Sequence, residues 1–245
     1  MGSGRAVAIV SGGMDSVTLA YFLASEGFSL HLLSVDYGQR HVKELEYARL
    51  CAERLGAEFD VADISGVGRL LKGSALTDEV TVPHGHYAAP NMAVTVVPNR
   101  NAIMLSIAYG VAVAEGAEVV ATGVHAGDHF VYPDCRPGFI EAFDAMQREA
   151  VEGFGDESLR LYAPFVEWTK ADIVATGVRL GVPYAGTWSC YEGGEVHCGE
   201  CGTCVERREA FQLAGVQDPT EYGTAKDRTW SKLGRSDEPL QGGTR

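Results

Sequence analysis

The sequence contains no long apolar run and comparatively little positive charge. No stretch reaches the roughly 18 apolar residues that a membrane-spanning helix requires, so no such helix is expected. Lys and Arg number 20 against 33 Asp and Glu, which leaves a formal net charge of -13. Binding to duplex nucleic acid rests on clustered Lys and Arg, so this balance argues against a broad nucleic-acid-binding face. A local basic pocket for a small anionic ligand remains compatible with it.

The amino-terminal residues also lack the features of a secretory signal. Met1 to Arg5 lead directly into a short apolar segment, without the longer apolar region and cleavage site of a signal peptide. A cytoplasmic protein is therefore expected. In that reducing compartment six cysteines, four of them within fifteen residues, favour metal binding over disulfide bonds.

Alternating apolar and helical patterns predict an α/β fold with a Rossmann-like parallel sheet. The hydrophobic share of 46% in 245 residues is enough for a substantial core. Short apolar runs that end in glycine or polar residues, each followed by a helical pattern, are typical of buried parallel strands. The predicted strands cover residues 6–10, 30–35, 58–63, 118–123 and 161–164, and the predicted helices cover 14–25, 41–55, 101–115, 137–151, 170–180 and 204–214.

Composition divides the chain into three parts. Residues 1–185 carry the strand–helix alternation, residues 186–230 carry the clustered cysteines in a small helical region, and residues 231–245 are polar, Gly-rich and typical of a disordered tail. Within the first part, residues 64–98 show no periodicity. We interpret them as a long loop or lid, because irregular segments of this length in compact domains are usually functional.

A glycine loop follows the first predicted strand. Val10 is succeeded by Ser11-Gly12-Gly13-Met14-Asp15-Ser16 at the start of a predicted helix. A helix N-terminus presents unpaired N–H groups and partial positive charge, and glycines let the backbone approach an anion. Asp15 suits such a site if Mg²⁺ bridges it to phosphate oxygens. The alternative is a tight turn with a helix cap, which a glycine pair alone would favour.

The cysteine cluster predicts a metal site. Cys190 precedes Cys198, Cys201 and Cys204. Two residues lie between Cys198 and Cys201, and two lie between Cys201 and Cys204. Four thiolates close a tetrahedral shell around Zn²⁺ and leave no position for catalytic water, so the zinc would be structural. Three alternatives stay open: disulfide bonds, an iron–sulfur cluster, and His197 in place of Cys190 as the fourth ligand.

The glycine loop resembles the SGGxDS signature of the pyrophosphate-loop ATP enzymes, whose fold is that of the adenine nucleotide alpha hydrolases. Those enzymes typically activate a carboxylate or carbonyl by adenylation. The resemblance implies that Val10 to Ser16 bind ATP. It also implies that the adenine lies near the end of the second strand, beside Asp36, Gln39 and Arg40. This position agrees with the rule that ligands of open α/β sheets bind outside the carboxyl ends of the strands.

From the first strand to about residue 212, the chain resembles the 7-cyano-7-deazaguanine synthase family of queuosine precursor synthesis. The matching stretches are residues 11–16, 36–41, 97–101, 123–125, 132–136, 168–170 and 187–191 and the last three cysteines. The resemblance implies that ATP activates the carboxylate of 7-carboxy-7-deazaguanine, that ammonia gives an amide, and that further activation and dehydration give the nitrile. It also implies structural zinc and a homodimer.

Roles for individual side chains follow from this chemistry and from the resemblance. Asp15, Ser16, Arg100 and Lys170 are the candidate catalytic residues, because developing negative charge needs Mg²⁺ or cationic side chains nearby. A flat base needs aromatic faces and fixed hydrogen-bond partners. The candidate substrate-binding residues are Tyr37, Asn101, His125, Tyr132, Asp134, Arg136 and Trp188. The alternative for Tyr37 and Trp188 is core packing, and for Arg40 and Arg136 a surface ion pair.

Three other functions remain to be weighed. A related ligase would transfer the activated carboxylate to another amine, and a tRNA-modifying thiolase would need a cysteine pair besides the metal ligands. Only Cys51 and Cys135 are left for such a pair, and they lie far apart in sequence. A zinc module that binds nucleic acid conflicts with the acidic charge balance. Residues 128–131 depart from the small polar stretch that the family more often has there, which concerns the substrate pocket rather than the fold.

Overall fold

The computed structural model describes residues 4–39, 43–74 and 94–223, which contain a five-stranded parallel sheet flanked by helices. The strands are β1 (Arg5–Ile9), β2 (Ser29–Asp36), β3 (Glu58–Asp63), β4 (Val119–Ala121) and β5 (Arg160–Tyr162). The helices are α1 (Met14–Ser25), α2 (Lys43–Leu55), α3 (Ser65–Gly68), α4 (Arg100–Glu115), α5 (Pro137–Ala150), α6 (Lys170–Arg179) and α7 (Gly202–Leu213). Short 3₁₀ turns lie at Ala126–Phe130, Pro133–Cys135 and Tyr184–Gly186.

Both faces of the sheet are buried, which explains why its central strands read as apolar runs. Along β1, Ala6 and Ala8 pack into one core cluster, and Val7 and Ile9 pack into the other. The first cluster is completed by α1, α2, α6 and α7, and the second by α4 and α5. Alternate side chains of a strand point to opposite faces, so a strand covered on both sides is largely apolar.

The strand order places a crevice at the carboxyl end of β1. The order is β3-β2-β1-β4-β5, so the chain proceeds outward from β1 to β3 on one side and then crosses to β4 on the other. Ligands of open α/β sheets bind at such a switch point, outside the carboxyl ends of the strands. The glycine loop directly follows β1, and the fold therefore puts it at this crevice.

The predicted α/β fold is confirmed, and the element boundaries agree closely. The helix predicted over 14–25 is α1, and the helix predicted over 101–115 is α4, which begins one residue earlier at Arg100. The strand predicted over 118–123 is shorter, because β4 spans only Val119–Ala121 before the chain turns toward the crevice. Across the described ranges, every helix is too short or too polar to cross a membrane.

The segment interpreted as one long loop contains additional structure. Its first residues form α3, in which Gly68 packs against the backbone of Tyr37. Near its end Thr95 is fully buried, and its hydroxyl lies 2.9 Å from the hydroxyl of Tyr132. The interpretation as a loop is therefore wrong for α3, whereas Thr95 shows that the end of the segment packs against the domain. The rest of the predicted lid, residues 75–93, and the predicted tail, residues 231–245, lie outside the described residues.

The cysteine-bearing region shares its core with the sheet domain. Ala210 and Phe211 of α7 belong to the same buried cluster as α1, and the ring of Phe211 lies 5.1 Å from that of Tyr184. The domain boundary at residue 185 stays a prediction. The region that follows this boundary packs onto the α/β core.

Arg207 of α7 is a fully buried cation that connects α7 to other segments of the cysteine-bearing region. Its guanidinium donates hydrogen bonds to Thr187 Oγ1 at 2.8 Å, Ser189 Oγ at 3.2 Å and the carbonyl of Tyr184 at 2.9 Å. Its Nε lies 3.4 Å from Asp218 Oδ1. Removal of the guanidinium would leave these buried acceptors without donors, and such a loss is strongly destabilising.

We expect Arg207→Met to lower the free energy of unfolding by about 3 kcal/mol. Urea unfolding followed by circular dichroism measures this change. Arg148→Met is the matched control, because that side chain is 60% exposed and pairs with Asp144 on the same helix. The control is expected to change stability by less than about 0.5 kcal/mol. Equal effects of the two substitutions would contradict the structural role of Arg207.

Candidate active site

The glycine loop is held in a conformation that only glycine adopts readily at Gly12. Its φ is +78°, and a Cβ atom there would lie 2.4 Å from the carbonyl oxygen of Glu44 and 2.8 Å from the backbone nitrogen of Ala48. The loop is thus pressed against α2. On its other side, the carbonyl of Gly12 accepts a hydrogen bond from the backbone nitrogen of Trp188 at 2.9 Å. Contacts from two distant segments therefore fix the loop before any ligand binds.

The N-terminus of α1 offers an anion site. Gly13 is the N-cap residue and provides no side-chain hydrogen bond to the first turn of the helix. Ser16 Oγ accepts a hydrogen bond from the backbone nitrogen of Ser11, and the two hydroxyls lie 3.3 Å apart. Unpaired N–H groups, helix polarity and neighbouring hydroxyls together suit a phosphate group.

Asp15 stands in the first turn of α1 with one carboxylate oxygen engaged and one not. Oδ2 lies 3.3 Å from Lys170 Nζ and 3.9 Å from His125 Nε2. Oδ1 is buried and has no hydrogen-bond partner within the described part of the chain. A buried carboxylate oxygen without a partner requires a physical explanation, and a divalent cation beside a phosphate site provides one.

Lys170 is clamped between two acidic side chains. Besides its contact with Asp15, Nζ donates a hydrogen bond to Glu206 Oε2 at 2.5 Å. Burial opposes the charge on Lys170, but the carboxylates of Asp15 and Glu206 outweigh this and raise its pKa above the ordinary value. The side chain is therefore positively charged at neutral pH and lies beside Asp15 of the glycine loop.

His125 lies behind Asp15 and does not line the cavity. The imidazole is 1% exposed, and Nδ1 accepts a hydrogen bond from the backbone nitrogen of Gly127 at 3.1 Å. In the neutral ring this assigns the proton to Nε2, which faces Asp15 at 3.9 Å and Asp128 at 3.5 Å. His125 is therefore close to both carboxylates, and its predicted contact with substrate stays a prediction.

A cavity of about 240 Å³ extends from the loop along the carboxyl ends of β1, β2 and β4. Its wall beyond the loop includes Arg100, whose guanidinium carbon lies 6.0 Å from the ring centre of Tyr37 and 5.9 Å from that of Tyr132. Glu44 and Tyr191 complete this wall. Burial raises the pKa of Glu44 to about 7, although the positive charge of Arg100 acts in the opposite direction.

The structure brings together most of the residues proposed for the site. Asp15, Ser16, Arg100 and Lys170 all line the cavity, as do Val10, Ser11, Gly13, Met14, Gln39, Tyr37, Asn101, Tyr132 and Trp188. Gly12 supports the loop from behind. The Asp36 carboxylate accepts a hydrogen bond from the backbone of Gly38, and it is not among the lining residues. Arg40 lies outside the described residues.

Asp134 and Arg136 are not among the residues that line the cavity, and their predicted contact with substrate stays a prediction. The Asp134 carboxylate accepts a hydrogen bond from the backbone nitrogen of Asn101 at 3.1 Å and thereby caps α4. Arg136 is exposed, and its Nε donates to the carbonyl of His129 at 2.8 Å. The motif containing these two residues shapes the wall through Tyr132 and Cys135 instead.

Trp188 supports the loop more than it offers a face to a ligand. Its indole is 2% exposed, and its ring centre lies 4.3 Å from that of His197. Lys43 Nζ also lies 4.3 Å from the indole ring centre. These neighbours contact the ring, while Trp188 also lines the cavity, so its predicted contact with substrate stays a prediction.

Sequence reasoning did not assign four residues that the structure places in or beside the site. Glu44, Tyr191 and Asp128 line the cavity, and Glu206 pairs with Lys170. Asp128 and Tyr191 lie within segments whose motifs had been singled out, so proximity to a motif was an available signal. Glu44 and Glu206 look like ordinary helical acidic residues, and only the packing of α2 and α7 against the crevice reveals them.

The four clustered cysteines form a group whose geometry suits one tetrahedral metal ion. The sulfur atoms of Cys198 and Cys204 lie 3.9 Å apart, and those of Cys201 and Cys190 lie 4.0 Å apart. A tetrahedral ion with Zn–S bonds of about 2.3 Å separates its ligands by roughly 3.8 Å. Disulfide sulfurs would lie about 2.05 Å apart, so the separations do not suit that alternative, and an iron–sulfur cluster would hold its ligands farther apart.

His197 is not the fourth ligand of this group. Its Nε2 accepts a hydrogen bond from the backbone nitrogen of Ser189 at 3.1 Å, and the ring packs on Trp188. Burial, together with the positive charge of Arg207, lowers the pKa of His197 to about 4. The group that could hold a metal consists of Cys190, Cys198, Cys201 and Cys204, so the alternative with His197 is wrong.

The residues of this site all lie within the part of the chain that matches known proteins. The family model described as "Queuosine biosynthesis protein QueC" matches residues 5–215. A 7-cyano-7-deazaguanine synthase of Rhizobium meliloti is 64% identical over 218 residues, which cover 89% of this chain and 92% of that protein. A 7-cyano-7-deazaguanine synthase of Brucella anthropi is 61% identical over 221 residues, which cover 90% of this chain and 94% of that protein.

Proposed function

Because the chain belongs to the family of the queuosine biosynthesis protein QueC, we propose that it is an ATP-dependent 7-cyano-7-deazaguanine synthase. It converts 7-carboxy-7-deazaguanine and ammonia to 7-cyano-7-deazaguanine through an amide. The observation that carries this proposal is the 64% identity to a synthase of which the match covers 92%. The cavity beside an anion site supports it, because carboxylate activation needs both a phosphate cradle and room for a small ring system.

The proposed ATP site runs from Val10 to Ser16. The unpaired N–H groups at the start of α1 and the hydroxyls of Ser11 and Ser16 bind the phosphates. Asp36, Gln39 and Arg40 remain proposals for the adenosine side. ATP supplies the phosphate leaving group that makes the substrate carboxylate reactive. Asp15 would hold Mg²⁺ through its unpaired Oδ1, which suits an ion that prefers carboxylate and phosphate oxygens.

Lys170 and Arg100 are the proposed cationic groups for the negative charge that develops during the reaction. Lys170 is held protonated by its two acidic partners, so its charge is in place before the substrate arrives. Arg100 projects into the same cavity between two tyrosine rings. Asn101, Tyr37 and Tyr132 contact the substrate in this proposal, while His125 orients Asp15 and Trp188 supports the loop.

Zinc, a homodimer and a cytoplasmic location complete the proposal. The four cysteine sulfurs have the chemistry and spacing that Zn²⁺ prefers, and the site has no open position for catalysis. The homodimer is proposed from the resemblance to the family. Sedimentation velocity over a range of protein concentrations tests the homodimer, and a species with the mass of one chain at all concentrations would contradict it.

We expect the purified protein to convert 7-carboxy-7-deazaguanine, ammonium and Mg-ATP first to the amide and then to the nitrile. Mass spectrometry of timed samples measures the order of appearance. Amide that never becomes nitrile would point to a related ligase with another end product. No turnover by folded, zinc-loaded protein would overturn the proposed substrate and leave only the ATP site to be explained.

A further inference from the structure

The carboxyl group of Glu44 in the cavity has no partner among the described residues that explains its position. Asp15 and Lys170 pair with each other, and Asp128 lies beside His125. Glu44 also lines the cavity and is partly buried, yet none of the residues in the described ranges donates a hydrogen bond to its carboxylate or forms an ion pair with it. A carboxyl group that is withdrawn from water without a partner costs stability unless a ligand provides donors.

The backbone fixes Glu44 beside the phosphate loop. Glu44 is the second residue of α2. Its carbonyl oxygen lies so close to Gly12 that a Cβ atom on Gly12 would be 2.4 Å from it. Arg100 contributes positive charge that favours the ionised form of the carboxyl group. The carboxylate is therefore positioned relative to the loop by main-chain contacts, which is the kind of support that a recognition group requires.

The surroundings of Glu44 suit a flat polar ring. Tyr37, Tyr132 and Tyr191 line the same part of the cavity, and the first two flank Arg100. Aromatic side chains bind flat heterocycles through their faces, and hydrogen bonds to the polar edge then fix the orientation. A carboxylate presents two adjacent acceptor oxygens, so its best complement is an edge with two adjacent N–H donors.

The guanine-type ring of the proposed substrate has such an edge, formed by N1–H and the 2-amino group. Adenine is less suitable, because its exocyclic amine is next to a ring nitrogen that accepts hydrogen bonds and would repel the second oxygen. We infer that the Glu44 carboxylate binds the 7-deazaguanine ring by accepting hydrogen bonds from N1–H and the 2-amino group. This inference rests on the proposed function. Glu44 is thus a specificity-determining residue for the base, whereas the loop serves ATP.

Steady-state kinetics of the full chain with two substrates test this inference. One is 7-carboxy-7-deazaguanine, and the other is 7-carboxy-7-deazahypoxanthine, which lacks only the 2-amino group. We expect Glu44→Gln to raise KM for the first substrate about 10- to 100-fold, the usual effect of weakening a hydrogen bond to a charged acceptor, with KM for ATP changed less than about twofold. The wild-type preference for the 2-amino substrate should largely disappear in the variant.

Two results would overturn the inference: a rise in KM for ATP alone, which would assign Glu44 to the adenine, or an unchanged preference for the 2-amino group in Glu44→Gln. Glu53→Gln is the matched control, because Glu53 lies on the same helix and is exposed. If Glu44→Gln does not fold, Glu44→Asp keeps the charge and displaces it by one methylene, and an unchanged KM there contradicts the inference.

The wild-type chain separates this inference from the proposed function. Failure to convert 7-carboxy-7-deazaguanine overturns the proposed function. Conversion of both substrates with equal kcat/KM leaves the proposed function standing and overturns the role of Glu44 alone, because a carboxylate that reads the 2-amino group must discriminate against its absence.

Discussion

Asp15→Asn is expected to lower kcat by about a thousandfold without unfolding the protein. The substitution keeps the shape of the side chain but removes its charge, and with it the ability to hold a divalent cation against phosphate oxygens. Oδ1 has no described partner to lose, and Lys170 retains its hydrogen bond to Glu206. The fold should therefore survive while the step that involves the phosphate is lost.

Product formation under saturating substrates measures this effect, and thermal unfolding measured in parallel establishes that the variant is folded. Asp60→Asn is the control, because the Asp60 side chain is 75% exposed and lies at the amino-terminal half of β3, away from the crevice. Its kcat should match that of the wild type. A folded Asp15→Asn variant with more than about a tenth of the wild-type kcat would contradict the assigned role of the carboxylate.

Loss of one cysteine ligand is expected to remove the metal and most of the stability of the carboxyl-terminal region. Cys201 is fully buried and forms the N-cap of α7, so its thiolate joins the metal group to that helix. Structural Zn²⁺ contributes on the order of 10 kcal/mol of apparent binding free energy, which is comparable to the total stability of a domain. We therefore expect Cys201→Ser to lose cooperative unfolding at 37 °C.

Metal analysis of purified protein should find about one zinc ion per chain in the wild type and almost none in Cys201→Ser. Cys51→Ala is the matched control, because Cys51 is a buried thiol outside the metal group. It should retain zinc and lose only about 1–2 kcal/mol through the small cavity it creates. Full zinc content and unchanged unfolding in Cys201→Ser would contradict a four-cysteine site, and iron in place of zinc would correct the identity of the metal.

The effect of metal loss should reach the active site, because α7 carries both a metal ligand and a partner of Lys170. Cys204 and Glu206 are two residues apart on this helix, and Glu206 bonds Lys170. Trp188, next to the metal group in the same cluster, bonds the carbonyl of Gly12. The four-cysteine group is thereby linked both to Lys170 and to the glycine loop.

The fold was predictable because its signals are local. The apolar runs of β1 and β2 and the long helical patterns of α1 and α4 identify each element without knowledge of its neighbours. Elements of three to five residues, such as α3 and the turn at Ala126–Phe130, are too short to show a period. They were therefore missed.

The site was predictable only where a motif marks it. Asp15 and Lys170 belong to sequence motifs, and both were predicted to take part in the same site. The structure places Lys170 Nζ 3.3 Å from Asp15 Oδ2. Arg136 also belongs to a sequence motif, but its side chain is exposed. The direction of that side chain depends on the 3₁₀ turn that precedes α5. Glu44 has no motif, and its partial burial depends on α2 packing against the loop, a tertiary contact that spacing does not reveal.

The wall of the cavity also determines when the protein becomes able to use ATP during its own synthesis. It is built from residues that range from Ile9 to Thr203. At translation rates of 5–20 residues per second, the phosphate loop emerges roughly 10 to 40 s before Thr203 does. For most of that interval the nascent chain carries the loop without Lys170 or Trp188. The cavity that includes Lys170 and Trp188 is therefore complete only after the first strands have been synthesised.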